Sequence, residues 1–224
     1  MGLFFYPTVP SEPAVKRTFT FIDGQNLFYA AKDAFGYTYP NYDPLLLAQW
    51  LVNQRNWQLT ETHFYTGIPQ VIDSARWNYF WTAKLAVMGT RGVKTFTRHL
   101  KYRNQTVNLP GGATTTVSVG QEKGIDVRLA LDVVRFAREN KFDVAVIFSQ
   151  DQDLSEVAAE VRSIAHDQNR WIKVACAYPI SPTTRNTRGI NGTDWIQINR
   201  AAYDACLDPN DYRPKPPVAA PPGP

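Results

Sequence analysis

Acidic residues are missing from a long central span of this 224-residue chain: between Ser74 and Gln121 there is no Asp or Glu. Cysteine and histidine are scarce throughout. Cys176 and Cys206 lie far apart, which excludes a disulfide framework and a cysteine metal spacing, and a reducing cytoplasm is the simpler setting. His63, His99 and His166 are scattered, with no His-x-x-x-His pair, so a zinc site is not expected. Metal-free RNA cleavage would need a histidine pair, and only His99, inside the acid-free span, is a candidate. No apolar run reaches the ~20 residues of a membrane helix. Met1–Tyr6 is too short for a signal peptide, has no basic flank, and lacks the Ser or Thr of a myristoylation signal. Also missing are the Gly-rich phosphate loop ending in Lys-Ser/Thr, Gly-x-Gly-x-x-Gly after the first strand, and Gly-x-Ser-x-Gly. The expectation is a cytoplasmic protein with no membrane partner and no nucleotide cofactor.

What the span does contain is basic and aromatic. Arg76, Lys84, Arg91, Lys94, Arg98, Lys101 and Arg103 are interleaved with Trp77, Tyr79, Phe80, Trp81, Phe96 and Tyr102. Such a mixture suits phosphate neutralisation with base stacking on a single strand. The competing reading makes the aromatics at 77–81 a core-facing helix stripe, and for those residues core is preferred. The whole chain carries a net charge of only +4, so the signal is in the distribution.

Alternation of apolar runs with helical spacing predicts an α/β fold. Strands are expected at Thr18–Ile22, Thr60–Thr66, Val93–Thr97, Asp143–Phe148, Trp171–Ala177 and Trp195–Ile198. Helices are expected from Asn26, over Asp43–Gln54 and Ser74–Met88, from Asp126 to about Asn140, and from Asp153 to about His166. Lys101–Val119 reads as a β-hairpin excursion turned at Pro110-Gly111-Gly112. Strands separated by helices give right-handed crossovers and a mostly parallel sheet, a Rossmann-like three-layer α/β/α sandwich. Residues 1–16, with three prolines, read as an arm, residues 17–207 as the domain, and residues 208–224, with seven prolines, as a mobile tail.

In such sheets ligands bind beyond the carboxyl ends of the strands. Asp23 and Asp151 fall at those ends, and Asp126 and Asp153 open helices nearby. If the strands are neighbours, their carboxylates share one rim and need a cation, so Mg²⁺ or Mn²⁺ on oxygen ligands is the first functional expectation. Each acid also has a structural alternative: an Asx turn for Asp23, a capping box for Asp153, and the helix dipole for Asp126. Asp151 has no evident capping role. Asn26 caps the first helix or orients a metal-bound water, and Lys123 anchors a loop or meets a phosphate. Arg128, Asp132, Arg135 and Glu139 recur at helical spacing and read as a solvated salt-bridge face.

Phe-Ile-Asp-Gly-Gln-Asn at 21–26, Lys-Gly-Ile-Asp-Val at 123–127 and Val-Ile-Phe-Ser-Gln-Asp-Gln-Asp-Leu at 146–154 resemble the NYN domain, a branch of the PIN-like nucleases. The resemblance runs from about residue 17 to 199 and includes Thr-Asp-Trp-Ile-Gln-Ile at 193–198. It implies an acidic pocket binding Mg²⁺ or Mn²⁺, matched here by Asp23, Asp126, Asp151 and Asp153, with Asn26 as the polar residue after the first Asp. It also implies metal-dependent ribonuclease activity, with an RNA substrate favoured over DNA by the family alone. Gln150 and Leu154 depart from the family's usual Gly and Phe, and Gln150 is expected to narrow the loop or touch substrate. Arg98, Lys101, Arg103 and Lys123 are expected to guide the polyanion. The rival is an RNA-binding regulatory module that keeps fold and metal site but cuts poorly, and a small-ester phosphatase ranks last. Oligomeric state, a homo-oligomer included, is open.

Overall fold

A computed structural model describes residues 10–108, 110 and 112–214. Among these residues, eight strands and six helices follow one another as β1 (Arg17–Asp23), α1 (Gly24–Phe35), α2 (Pro44–Gln54), β2 (Gln58–Ile68), α3 (Val71–Thr90), β3 (Lys94–His99), β4 (Lys101–Asn108), β5 (Thr114–Gln121), α4 (Ile125–Arg138), β6 (Val144–Phe148), α5 (Ser155–Asp167), β7 (Lys173–Pro179), β8 (Asp194–Ile198) and the short α6 (Arg200–Asp204). Six strands form one sheet in the order β3-β2-β1-β6-β7-β8, and every pair in it is parallel.

Both faces of that sheet are covered, which is why its central strands are continuous apolar runs. Side chains alternate between two cores. Ile22, Val144, Val146 and Phe148 face the helices α1 to α3, while Phe19, Phe21, Ala145 and Ile147 face α4 and α5. Buried threonines are satisfied within the sheet, as where Thr20 Oγ1 donates to Thr62 Oγ1 at 3.1 Å. At the amino end, Arg17 clamps Asp143 through Nε and Nη2 at 3.0 and 2.9 Å, fixing the start of β1 beside β6.

The expected hairpin is present as β4 and β5, a separate antiparallel ribbon with Lys101 opposite Gln121. Of its expected turn, Gly111 lies outside the described residues, as does Leu109. Helix α3 begins earlier than the spacing indicates and breaks at Ser74, whose backbone is extended (φ −162°). The aromatic stripe divides: Phe80 and Trp81 are buried, Trp77 is half-buried, and Tyr79 is exposed.

Two sequence expectations change here. Lys84, counted among the basic surface, is fully buried; its ammonium donates to Tyr42 O and to Asp208 Oδ2, both at 2.7 Å. Asp208 therefore belongs to the domain, not to a mobile tail. Tyr212 is also buried, and Arg213 stacks over Tyr39 at 4.0 Å. Composition reads proline as extended chain, but it does not reveal a partner waiting in α3. The expected arm over residues 1–9 and tail over 215–224 lie outside the described residues. Among the described residues, no helix is long and apolar enough to cross a membrane.

Removing one member of a buried ion pair strands the other. Asp208→Ala should cost about 3–5 kcal/mol in urea unfolding, and adding Lys84→Met should recover part of it. No loss in the single variant would show that the pair carries no stability.

Candidate active site

The strand order reverses between β1 and β6, so the connections leaving these neighbours diverge to opposite sides and open a crevice at their carboxyl ends. Ile22 pairs with Phe148 in register, which brings Asp23 level with Ser149 and Asp151 just beyond. A cavity of about 600 Å³ opens here, lined by Asp23, Gln25, Asn26, Tyr29, Glu122, Lys123, Gly124, Asp126, Val127 and Asp151.

Asp23 caps α1, accepting the Asn26 N–H at 2.9 Å through Oδ1. The same carboxyl is nearly buried, at 7 % exposure. Burial pushes it up from the ordinary 3.8 to about 6; the Asn26 N–H opposes this, and the neighbouring Asp151 and Asp126 add to it. Asp126 stands in the first turn of α4. Asp151 does have a capping role, contrary to expectation: its Oδ1 accepts the Asp153 N–H at 3.0 Å and opens a 3₁₀ turn at Gln152–Leu154.

Asp153 is exposed and is not part of the cavity wall. The fourth carboxylate is Glu122, delivered by the chain leaving β5. Its Oε2 accepts the Gly67 N–H at 2.6 Å. A Cβ on Gly67 would stand 2.7 Å from that oxygen, so a larger residue there would displace the carboxyl from this N–H. Burial raises the Glu122 carboxyl from 4.5 to about 7, helped by Asp23 and Asp126 and opposed by the Gly67 N–H. Sequence reasoning missed it, though a signal was present. Glu122 is the first acid after the acid-free span and directly precedes the Lys123-Gly124 motif.

Asn26 stands in the first turn of α1 and does not cap it, a role that Asp23 holds. Asn26 Oδ1 accepts the Gln150 N–H at 2.9 Å, tying α1 to the loop after β6. Gln150 itself turns away from the cavity and donates through Nε2 to Asn186 O and Arg188 O, both at 2.9 Å. It anchors the loop before β8 and does not line this cavity. Leu154 is a core residue.

Of the four expected guiding cations, Lys123 lines the cavity. Arg98 lies against Gly124, where a Cβ would meet its Nη1 at 2.6 Å. Lys101 and Arg103 are exposed on β4, on the face opposite Tyr102. Asp132 is 6 % exposed and therefore not solvated. It does pair with Arg128 and Arg135, at 2.9 and 3.0 Å, but also accepts from Tyr65 Oη at 3.0 Å, because this side of α4 borders the sheet.

These carboxylates supply only hard oxygen donors, the chemistry preferred by Mg²⁺ or Mn²⁺. Among the described residues, no three acidic, His or Cys side chains converge on one point closely enough to enclose an ion. That arrangement fits a cation that keeps several waters and takes one or two protein carboxylates.

A family model for the NYN domain matches residues 17–167. The chain belongs to the NYN domain family. This membership gives the chain a PIN-like nuclease fold and a nucleic-acid substrate in general terms. A search of curated proteins finds no match. Among solved structures, a Vibrio parahaemolyticus protein of unknown function, VPA0982, is 18% identical over 86% of this chain and 96% of its own, with a TM-score of 0.51. That likeness is one of fold. A ribokinase from Giardia lamblia is 12% identical over 57% of this chain and 37% of its own, with a TM-score of 0.32.

The raised carboxyls of the NYN domain's cavity make its stability pH-dependent. A carboxyl with a folded pKa above its unfolded value favours the folded state when protonated. Its contribution is full below about pH 4 and is lost as pH rises through 6 and 7. Glu122→Gln keeps an acceptor for Gly67 N–H but cannot ionise. In a metal-free buffer its stability relative to the parent should rise between pH 5 and 7.5, read by denaturant unfolding. A difference independent of pH would contradict the assignment.

Proposed function

We propose that this NYN domain is a metal-dependent ribonuclease that hydrolyses internal RNA phosphodiester bonds. Asp23, Glu122, Asp126 and Asp151 line the site that would take Mg²⁺ or Mn²⁺, one or two of them binding the ion directly and the others through its waters, with Asp153 outside the set. The observation that carries this reading is the convergence of four carboxylates on one open cavity, two of them held well above the ordinary range. Crowded, partly buried acids at a strand-end crevice are costly unless a proton or cation neutralises them. A nuclease gains a cation site from that cost.

A bound divalent ion supplies Lewis-acid polarisation of the phosphoryl oxygens and a more acidic water. The chain's own groups do the rest. Asn26 and Gly67 fix the two raised carboxyls, through Asp23 Oδ1 and Glu122 Oε2. Lys123 presents an ammonium at the cavity wall, where it would meet a substrate phosphate. Arg98, packed on Gly124, extends positive charge along the approach.

One observation favours a second reading, an RNA-binding module with little cleavage: no three of these ligands converge closely enough to enclose an ion. Incubation with RNA separates the two, since a module would retain RNA in Mg²⁺ or Mn²⁺ without shortening it. A nuclease should release fragments bearing 5′-phosphates. Asp151→Asn, folded by circular dichroism, should cut about a thousandfold more slowly or worse, as expected for losing several kcal/mol of charge stabilisation. Undiminished cleavage by a folded Asp151→Asn protein, or products ending in 2′,3′-cyclic phosphate, would overturn the metal-hydrolysis reading.

A further inference from the structure

A second cavity shares a wall with the acidic one. It measures about 200 Å³, and Phe28, Tyr29, Trp77, Trp81, Leu100 and Tyr102 are among the residues that line it. Gln25, Tyr29 and Glu122 line both cavities. The volume falls below the ~300–1,000 Å³ of sites for drug-sized ligands, so it suits one planar ring system.

Its walls are held in place. Trp77 packs edge-on against Phe80, with ring centroids 5.3 Å apart. Tyr102 stands opposite Gly120 across the hairpin, and a Cβ there would come within 3.0 Å of its ring. The missing side chain lets the aromatic settle onto β5. Among the described residues, no Lys or Arg lines this cavity and Glu122 is its one charged group. A phosphate is therefore unsuited to it, whereas a flat ring with hydrogen-bond donors on its edge is suited.

We propose that this cavity is a nucleobase subsite, in which one unpaired base stacks on the aromatic wall formed with Trp77 and Tyr102 while its backbone runs into the acidic cavity across Glu122. The inference rests on the nucleic-acid substrate of the proposed function and narrows it to single strands. A base inside a duplex is stacked and paired, and reaching the cavity would require it to be unstacked. The acid-free span then has a job for its aromatics that is separate from phosphate attraction.

The test reads binding and needs no cleavage. The probe is an RNA trinucleotide with 2-aminopurine in the middle and abasic sugars on both sides, titrated into Asp151→Asn protein in Mg²⁺. Stacking on the protein should quench the fluorophore saturably. Trp77→Leu and Tyr102→Leu, which leave an apolar side chain but remove the stacking face, should weaken that binding roughly 5- to 150-fold, the range of base–aromatic stacking, and Trp77→Phe should restore most of it. Melting temperatures check that each variant is folded; Tyr102, on the peripheral hairpin, gives the reading if Trp77→Leu does not fold. Absence of quenching, or unchanged affinity in folded Leu variants, would overturn the subsite. A protein that quenches the probe yet never cuts RNA keeps the subsite and loses the nuclease reading; one that cuts RNA without quenching does the reverse.

Discussion

The parallel pairing of β1 with β6 is the constraint from which the acidic cavity follows. These two strands are adjacent but belong to opposite halves of the sheet, so the chain leaves one toward β2 and the other toward β7. No crossover can cover the gap between them, and whatever residues end the strands face solvent together. Asp23 and Asp151 end them here. Arg17 and Asp143 lock the register from the other end of the same pair, so a slip there would separate the carboxylates at the carboxyl end.

The cluster works against folding. Asp23 and Glu122 are pushed toward neutrality by burial and by neighbouring carboxylates, and the backbone donors that hold them recover only part of the desolvation. A structure optimised for stability alone would replace them with neutral groups. Their presence, together with glycine at Gly67 to admit Glu122, is local conflict of the kind that marks functional positions.

What the sequence revealed depended on how local the relevant physics was. Asp23 and Asp151 were legible because an apolar run followed by an acid defines a strand end, and strand ends of a parallel sheet meet. Glu122 was not legible as a site residue, because its position depends on how far a hairpin travels before returning. Asp151 and Asp153 were harder to separate: two residues apart, their roles depend on which one caps the 3₁₀ turn, a matter of one φ/ψ pair. The stripe at Arg128, Asp132 and Arg135 gave the right ion pairs but not the burial, since periodicity defines a helix face without saying what lies against it. Lys84 and Asp208 are distant in sequence, and nothing local to either announces the other.

The acid-free span shows how strand alternation resolves an ambiguous pattern. Read linearly, its basic and aromatic residues form one nucleic-acid-binding stretch. In the fold, Lys84 is buried in an ion pair, Phe80 and Trp81 are core, and the hairpin sorts what is left by side. Tyr102 turns toward the cavity wall while Lys101 and Arg103 turn to the opposite face. Attraction of a polyanion acts over distances near ~10 Å and tolerates cations on any nearby surface. Stacking requires contact, so it admits only side chains that reach the cavity. In the proposed reading, the absence of acids across the span serves the first requirement, and the placement of Trp77 and Tyr102 beside Glu122 serves the second.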